Sequence, residues 1–310
     1  MPAKMVKLAT GATFAANGFG TWKAEPGQVG ASVKAALEVG YRHIDCAAIY
    51  TNEAEVGTVF NELFGGDDPT IRREDVWITS KAWNTCGSKK EVVAACRQSL
   101  ADLQLDYLDE YLVHFPAVWD HEGLPITDAT SGLEGADGLA WSKKYTLQNK
   151  WEGMEECHRL GLTKTIGVSN YSALQLMDLL SYAKVPPAVN QIEGHINNQR
   201  KELRAVCDAN NIHVTLYSVL GSGKEGPLQD PTVASIATAH GVSAGAICLA
   251  WALSTGCSVL AKSVTPSRIE ENFKADAIQL TADEAKQLAG LERRLVVCNM
   301  EEYWGFPAHV

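Results

Sequence analysis

The sequence predicts an α/β protein, a (β/α)8 TIM barrel with a small β-hairpin in front and an extra helix and tail behind. Three observations carry that reading. Short apolar segments alternate with helical runs eight times along the chain. A length of 310 residues suits one such barrel, and no repeat, low-complexity tract or linker divides residues 1–310. The nucleotide fingerprint that a doubly wound sheet would need after an early strand is missing.

Residues 6–13 alternate loosely around Gly11 and are expected to form the hairpin. Residues 18–22 read as the first strand and its loop. Residues 28–39 place Val29, Val33, Ala36 and Leu37 on one helical face, and Gly40 ends the run. Strand two, 43–45, leads through a small-residue loop to Asn52, the expected cap of a helix from 53 to about 64. Strand three spans 76–81. Ser88 is then expected to cap a helix whose inner side holds Val92, Cys96, Leu100 and Leu103. Residues 107–114 form strand four. The stretch 116–149, rich in Gly and Asp, has no clear period, and ordered loops of that length are usually functional or mobile. Helices at 151–160, 171–183 and 199–210 then alternate with strands at 165–169, 188–191 and 213–217. Helices are expected near 231–240 and at 243–255, and 258–262 is the eighth strand. Pro266 opens a helix through 274, and Thr281 caps one more before an irregular tail, 296–310. A literal GxGxxG at 221–226 (GSGKEG) follows a strand, but Pro227 and a polar run replace the helix it requires, so it reads as a flexible loop.

Composition narrows the function. With 37 acidic against 27 basic residues the net charge is −10, which disfavours nucleic acid or an anionic membrane as partner while leaving room for one phosphate site. No signal peptide and no bilayer-length apolar run is present, so a cytoplasmic location is expected. Eight scattered cysteines without a CxxC pair read as reduced thiols, mostly small core residues, and no metal site is expected. The sequon at 170–172 has no meaning without a secretory signal.

The chemistry should gather at one mouth of the barrel, where residues ending successive strands converge. Asp45, Lys81 and His114 end strands two, three and four, and Tyr50 lies five residues past Asp45. Alternation in VWITSK sets Trp77, Thr79 and Lys81 opposite Val76 and Ile78, so Lys81 can point to the barrel axis. Each residue alone has a structural reading: Asp45 and Lys81 as an ion pair, His114 as a core histidine, Tyr50 as a packed rim residue. Four ionisable types at one mouth point instead to a catalytic site.

The motifs GTW (20–22), GYRHID (40–45), HFP (114–116), IGVSN (166–170) and KSVTPSRIEEN (262–272) resemble, in order, those of the aldo-keto reductase superfamily, aldose and xylose reductases in particular. The resemblance covers nearly the whole chain. It implies a tetrad of Asp45, Tyr50, Lys81 and His114 and NADPH-dependent reduction of a carbonyl to an alcohol. Charge developing on the carbonyl oxygen needs a proton, and a free tyrosine is a reluctant donor. Lys81 is expected to make Tyr50 more acidic, Asp45 to keep Lys81 charged, and His114 to orient the carbonyl.

Ser169, Asn170 and Gln191 offer hydroxyl and amide groups suited to a nicotinamide carboxamide, and Tyr217 a face for its ring. Thr265 reads as an N-cap before Pro266, so backbone N–H groups meet an anion; Lys262, Ser263 and Arg268 surround it and favour the 2′-phosphate of NADPH. By resemblance Glu271 and Asn272 contact the adenine, and Gly20, Thr21, Trp22, Ser218, Leu220 and Ser222 also belong to the cofactor site. Trp22, Trp83 and Phe115 are implied as pocket walls, with Trp119, Tyr303 and Trp304 as looser candidates. Cys298 matches a redox-sensitive position of aldose reductases.

The sequence also departs from the family pattern. Val219 replaces the usual proline, the loop to Pro231 is short, and Lys224 stands where an acidic latch is expected, with Glu225 beside it. A looser clasp and faster cofactor release follow as expectations. The stretch after His114 is expected to help form a substrate lid. The partner is a small aldehyde or sugar, and a monomer is expected over a dimer. Two other readings stay open: Lys81 as a Schiff-base nucleophile of an aldolase, and a non-catalytic NADPH-binding regulatory or storage barrel.

Overall fold

The computed structural model describes residues 4–66, 69–120, 140–223 and 226–300. Strands β1 (Met5–Lys7) and β2 (Thr13–Ala15) pair antiparallel as the expected hairpin. The next strands are β3 (Asn17–Gly20), β4 (His43–Asp45), β5 (Trp77–Ala82) and β6 (Leu108–Val113). A short antiparallel pair, β7 (Trp119–Asp120) and β8 (Ala140–Trp141), stands apart from them. Then come β9 (Thr163–Ser169), β10 (Val189–Glu193), β11 (His213–Tyr217) and β12 (Ser258–Ala261). All but the hairpin and the β7–β8 pair run parallel and close into one barrel in chain order, β12 returning to β3. This is the (β/α)8 barrel that the alternation of periods predicts.

The helices are α1 (Val29–Val39), α2 (Glu53–Phe64), α3 (Lys89–Leu103), α4 (Leu147–Arg159) and α5 (Ala173–Tyr182), followed by α6 (Lys201–Ala209), α7 (Pro231–His240), α8 (Ala244–Ser254), α9 (Pro266–Lys274) and α10 (Ala282–Ala289). Local chemistry explains their ends. Ser88 accepts the Glu91 N–H while Glu91 reaches back to the Ser88 N–H, a capping box worth about 1 kcal/mol. Gly40 closes α1 at φ 123°, where a Cβ would lie 2.9 Å from the Phe273 ring, so only glycine suits it.

The hairpin covers the end of the barrel where the strands begin. Phe14 stacks on Trp77 with centroids 4.7 Å apart and meets His43 and His213 edge-on at 5.1 and 5.7 Å. The opposite end stays open for a site. Among the described residues no single helix is long and apolar enough to cross a membrane.

Several expectations need correction. Asn52 occupies the N-cap of α2 but makes no side-chain cap bond; its Nδ2 donates to the Thr21 carbonyl at 3.0 Å, so a tertiary contact outcompetes the local one. Helix α4 begins at Leu147, four residues before the expected start, because Thr146 and Asn149 form a capping box that uses Asn instead of Glu or Gln. The aperiodic stretch contains the β7–β8 pair, too short to show a period. Among the described residues the loop at 221–226 carries a 3₁₀ turn, Gly221–Gly223, and another, Pro227–Gln229, precedes α7.

Candidate active site

At the open mouth, Asp45 ends β4 and is register partner to Thr79 on β5, two residues before Lys81. A 3₁₀ turn, Ala48–Tyr50, closes with Thr51 in the left-handed region (φ 54°) and swings Tyr50 back over the barrel. Lys81 Nζ then lies 2.7 Å from both Asp45 carboxylate oxygens, 2.9 Å from the Cys46 carbonyl and 3.2 Å from the Tyr50 hydroxyl. An ammonium has three hydrogens for these four acceptors, so one is shared. Gln191 Nε2 donates to Asp45 Oδ1 at 2.8 Å, and the Thr21 hydroxyl and N–H both donate to the Asp45 carbonyl. His114 completes the group, its ring 5.7 Å from that of Tyr50.

Burial is the largest influence on Lys81 and pulls its ammonium down, yet the charge of Asp45 and the bonds to Asp45 and Tyr50 outweigh it and leave Lys81 raised. Such an amine stays protonated and is a poor Schiff-base nucleophile. For Tyr50 the expected direction is reversed. Desolvation raises its hydroxyl above the ordinary phenol range, and Lys81 offsets only part of that rise. The sequence could place the cation but not the dryness of the site. His114 is held well below its usual value by burial, then by Lys81 and Lys150, so its imidazole is neutral. Its Nδ1 has no hydrogen-bond partner among the described residues.

A cavity of about 450 Å³ opens above this group. Its wall includes Trp22, Trp83, Phe115 and Cys298, as the sequence suggests, and Ser169, Asn170, Gln191, Tyr217, Ser218, Leu220, Ser222, Lys262 and Arg268. The polar groups are already linked: Tyr217 donates to Asn170 Oδ1 (2.7 Å), Asn170 Nδ2 to the His114 carbonyl (3.0 Å) and Ser169 Oγ (3.1 Å), and Ser169 Oγ to the Gln191 carbonyl (2.8 Å). A carboxamide would meet remaining lone pairs and the second N–H of Gln191, a set that fits an amide. At the far end Arg268 is exposed and makes no hydrogen bond or ion pair among the described residues. The Ser267 and Arg268 N–H groups precede the first intrahelical bond of α9, Ile269 N–H to the Thr265 carbonyl at 3.0 Å. That arrangement fits a phosphate.

Six expected cofactor residues do not line the cavity. Gly20 is paired with Asp45 in the barrel, and Thr21 is fully buried beneath it. Thr265 makes no side-chain cap, and its own backbone N–H is accepted by Ser263 Oγ at 3.1 Å. Glu271 accepts the Ser243 N–H at the start of α8, and the Asn272 carbonyl accepts from Asn17 Nδ2. Trp119 is buried behind Trp83, edge-on at 5.5 Å, rather than facing the cavity. Cys298 is also buried, which pushes its thiol up and keeps thiolate scarce; Ser218 Oγ lies 3.1 Å from its sulfur. Tyr303, Trp304, Lys224, Glu225 and most of the expected lid lie outside the described residues.

Lys23, Ile49 and Met300 are among the lining residues that the sequence reading missed. Lys23 Nζ lies 4.3 Å from the Trp22 ring, and its carbonyl accepts from Lys262 Nζ at 2.7 Å. Ile49 sits within the opening motif and was findable; Met300, in an irregular tail, carries no local signal. Among the described residues no group of His, Cys, Asp and Glu is arranged to hold a metal ion.

Residues 14–293 match the Aldo/keto reductase family. Aldo-keto reductase family 1 member A1 of Bos taurus is 41% identical over 303 residues, covering 95% of this chain and 91% of that protein. The aldose reductase of Schistosoma japonicum superposes with a TM-score of 0.87 at 34% identity, covering 99% of this chain and 98% of that one. A Bombyx mori aldo-keto reductase, solved in complex with NADP, gives 0.86 at 30% identity, with 100% and 99% covered.

Proposed function

The chain belongs to the aldo/keto reductase family, oxidoreductases of carbonyl groups, and from that premise we propose that it is an NADPH-dependent reductase of aldehydes, open-chain aldoses included. Residues 1–310 form one domain in this reading. The observation that carries it is Lys81 Nζ bridging the Asp45 carboxylate at 2.7 Å and the Tyr50 hydroxyl at 3.2 Å under a cavity that runs out to Arg268. The cofactor assignment draws on the NADP complex of the Bombyx mori relative and on the Arg268 guanidinium at α9, unpaired among the described residues.

When bound, the reduced nicotinamide supplies a hydride. Everything else falls to the chain's own side chains. Asn170, Ser169, Gln191 and Tyr217 hold the ring end, and Arg268, Lys262, Ser263 and Thr265 the phosphate end, with Glu271 and Asn272 beyond. Tyr50 keeps its proton at neutral pH because burial raises it. As negative charge grows on the substrate oxygen, a stronger base than tyrosinate forms there, and the Tyr50 hydroxyl donates to it. Lys81 stabilises the tyrosinate left behind, and Asp45 keeps the ammonium charged and placed. A neutral His114 donates to the same oxygen without contributing a competing charge. Aromatic walls exclude water and suit apolar aldehydes as well as the C–H faces of sugars.

An aldehyde and aldose panel, assayed by NADPH and NADH consumption, tests the reading. Aldehyde-dependent oxidation of NADPH, faster than of NADH, is expected; none with any aldehyde would refute it. Trapping with borohydride and substrate should leave Lys81 unmodified.

A further inference from the structure

Behind the aromatic wall lies a cation that does not line the cavity and whose contribution to the chemistry above is limited to the third-largest influence on His114. Lys150 is fully buried and no carboxylate is paired with it among the described residues. It sits in the first turns of α4, where the helix dipole also opposes a positive charge. Burial lowers it to about 8. A buried ammonium with no carboxylate paired to it among the described residues leans on its carbonyl contacts, so these are informative. Nζ donates to the Trp83 carbonyl at 2.8 Å and to the Ala117 carbonyl at 3.2 Å. These belong to the loops leaving β5 and β6, the two segments that carry Trp83 and Phe115 of the cavity wall.

The rings hang directly from these anchors. Trp83 meets His114, Phe115 and Trp119 edge-on, with centroids 5.1, 6.0 and 5.5 Å apart. Phe115 stacks on His114 at 5.3 Å and 14°, and its carbonyl accepts the Ala117 N–H at 2.7 Å. The root of Lys150 is itself braced on two sides. The capping box at Thr146 fixes the start of α4, and Gly153 lets that helix approach α3 so closely that a Cβ would lie 2.6 Å from Val92. One ammonium on a rigid helix therefore ties together the two loop stems that frame the substrate side of His114.

We propose that Lys150 is a positioning residue that sets the spacing of the Trp83–Phe115 wall and thereby selects for aromatic aldehydes over short polar ones. This rests on the reductase reading. An aromatic aldehyde gains only if Trp83 and Phe115, in edge-on contact with each other at 6.0 Å, present one continuous aromatic surface to it, whereas a three-carbon hydroxyaldehyde covers little of that surface. Lys150→Met keeps the volume and removes both donors. In this variant KM for an aromatic aldehyde should rise roughly tenfold, about what one lost aromatic contact is worth. KM and kcat for a three-carbon hydroxyaldehyde, and the NADPH dissociation constant, should stay within about twofold. Equal effects on both aldehydes would show a merely structural role and overturn the proposal, as would no effect on either. If Lys150→Met does not fold, Lys150→Gln, which retains an amide donor, is read the same way with an expected selectivity loss of about threefold. Absence of aldehyde-dependent NADPH oxidation in the unaltered protein would instead refute the reductase reading, and the proposal with it.

Discussion

Replacing Asp45 with Asn keeps the shape at the end of β4 and removes one charge. Lys81 is buried to its tip, and both of its closest contacts, at 2.7 Å, are to the Asp45 carboxylate. Its raised pKa contributes stability that is fully present below the unfolded value near 10.5 and lost only as pH rises beyond it, so at pH 7 all of it is in force. Breaking one side of such a pair costs about 3–5 kcal/mol. At about 2.1 cal/mol/K per residue, unfolding this chain releases an entropy of about 0.65 kcal/mol/K, so 4 kcal/mol lowers the melting midpoint by about 6 °C. Lys81 can escape part of that cost by losing its proton, since only Tyr50 then opposes burial. Tyr50 would lose its cation in turn, turnover should fall on the order of a hundredfold, and the alkaline limb of kcat should move to lower pH. Thermal scans at pH 7 and kcat measured from about pH 6 to about pH 10 check both arms. A midpoint within about 1 °C of the parent together with an unmoved alkaline limb would refute the reasoning.

Tyr50→Phe should lower kcat by roughly a hundred- to ten-thousandfold with NADPH affinity nearly intact, as read by fluorescence titration; normal turnover would remove Tyr50 as the proton donor. Arg268→Ala should raise KM for NADPH at least about tenfold more than KM for NADH, and equal effects would exclude a 2′-phosphate contact. Glu110, buried in the barrel and accepting from Thr79 Oγ1 at 3.0 Å, is raised by burial from 4.5 to about 8. The folded protein therefore holds a proton there that the unfolded chain releases, and stability drains away as pH climbs from 4.5 to 8. Glu110→Gln should accordingly gain on the parent by about 3–4 kcal/mol, or about 5 °C in midpoint, between pH 5 and pH 8. A difference that does not grow with pH would contradict the assignment.

Much of the barrel was legible because its signals are local. Strands at 43–45 and 213–217 and helices at 231–240 and 266–274 lie where period, proline and capping residues put them. Ser88 caps α3 as read, since its partner Glu91 is three residues away. Asn52 makes no side-chain cap because its amide is drawn to the Thr21 carbonyl, a partner visible only once the loops are folded, and Thr265 likewise leaves its helix start uncapped. The same holds at the mouth. Alternation along β5 aimed Lys81 inward, and strand order brought it to Asp45, yet neither said how little water would remain around Tyr50.

The sequence by itself therefore determined the order of the elements and the four ionisable side chains at one mouth, because spacing along a strand and succession of strands are properties of neighbours in the chain. Tertiary structure alone decided that Tyr50 rises rather than falls, that Gln191 and Thr21 brace Asp45, and that Lys150 reaches the Trp83 carbonyl, 67 residues away. Desolvation and through-space hydrogen bonding depend on which distant segments close over a group, and no local pattern encodes that.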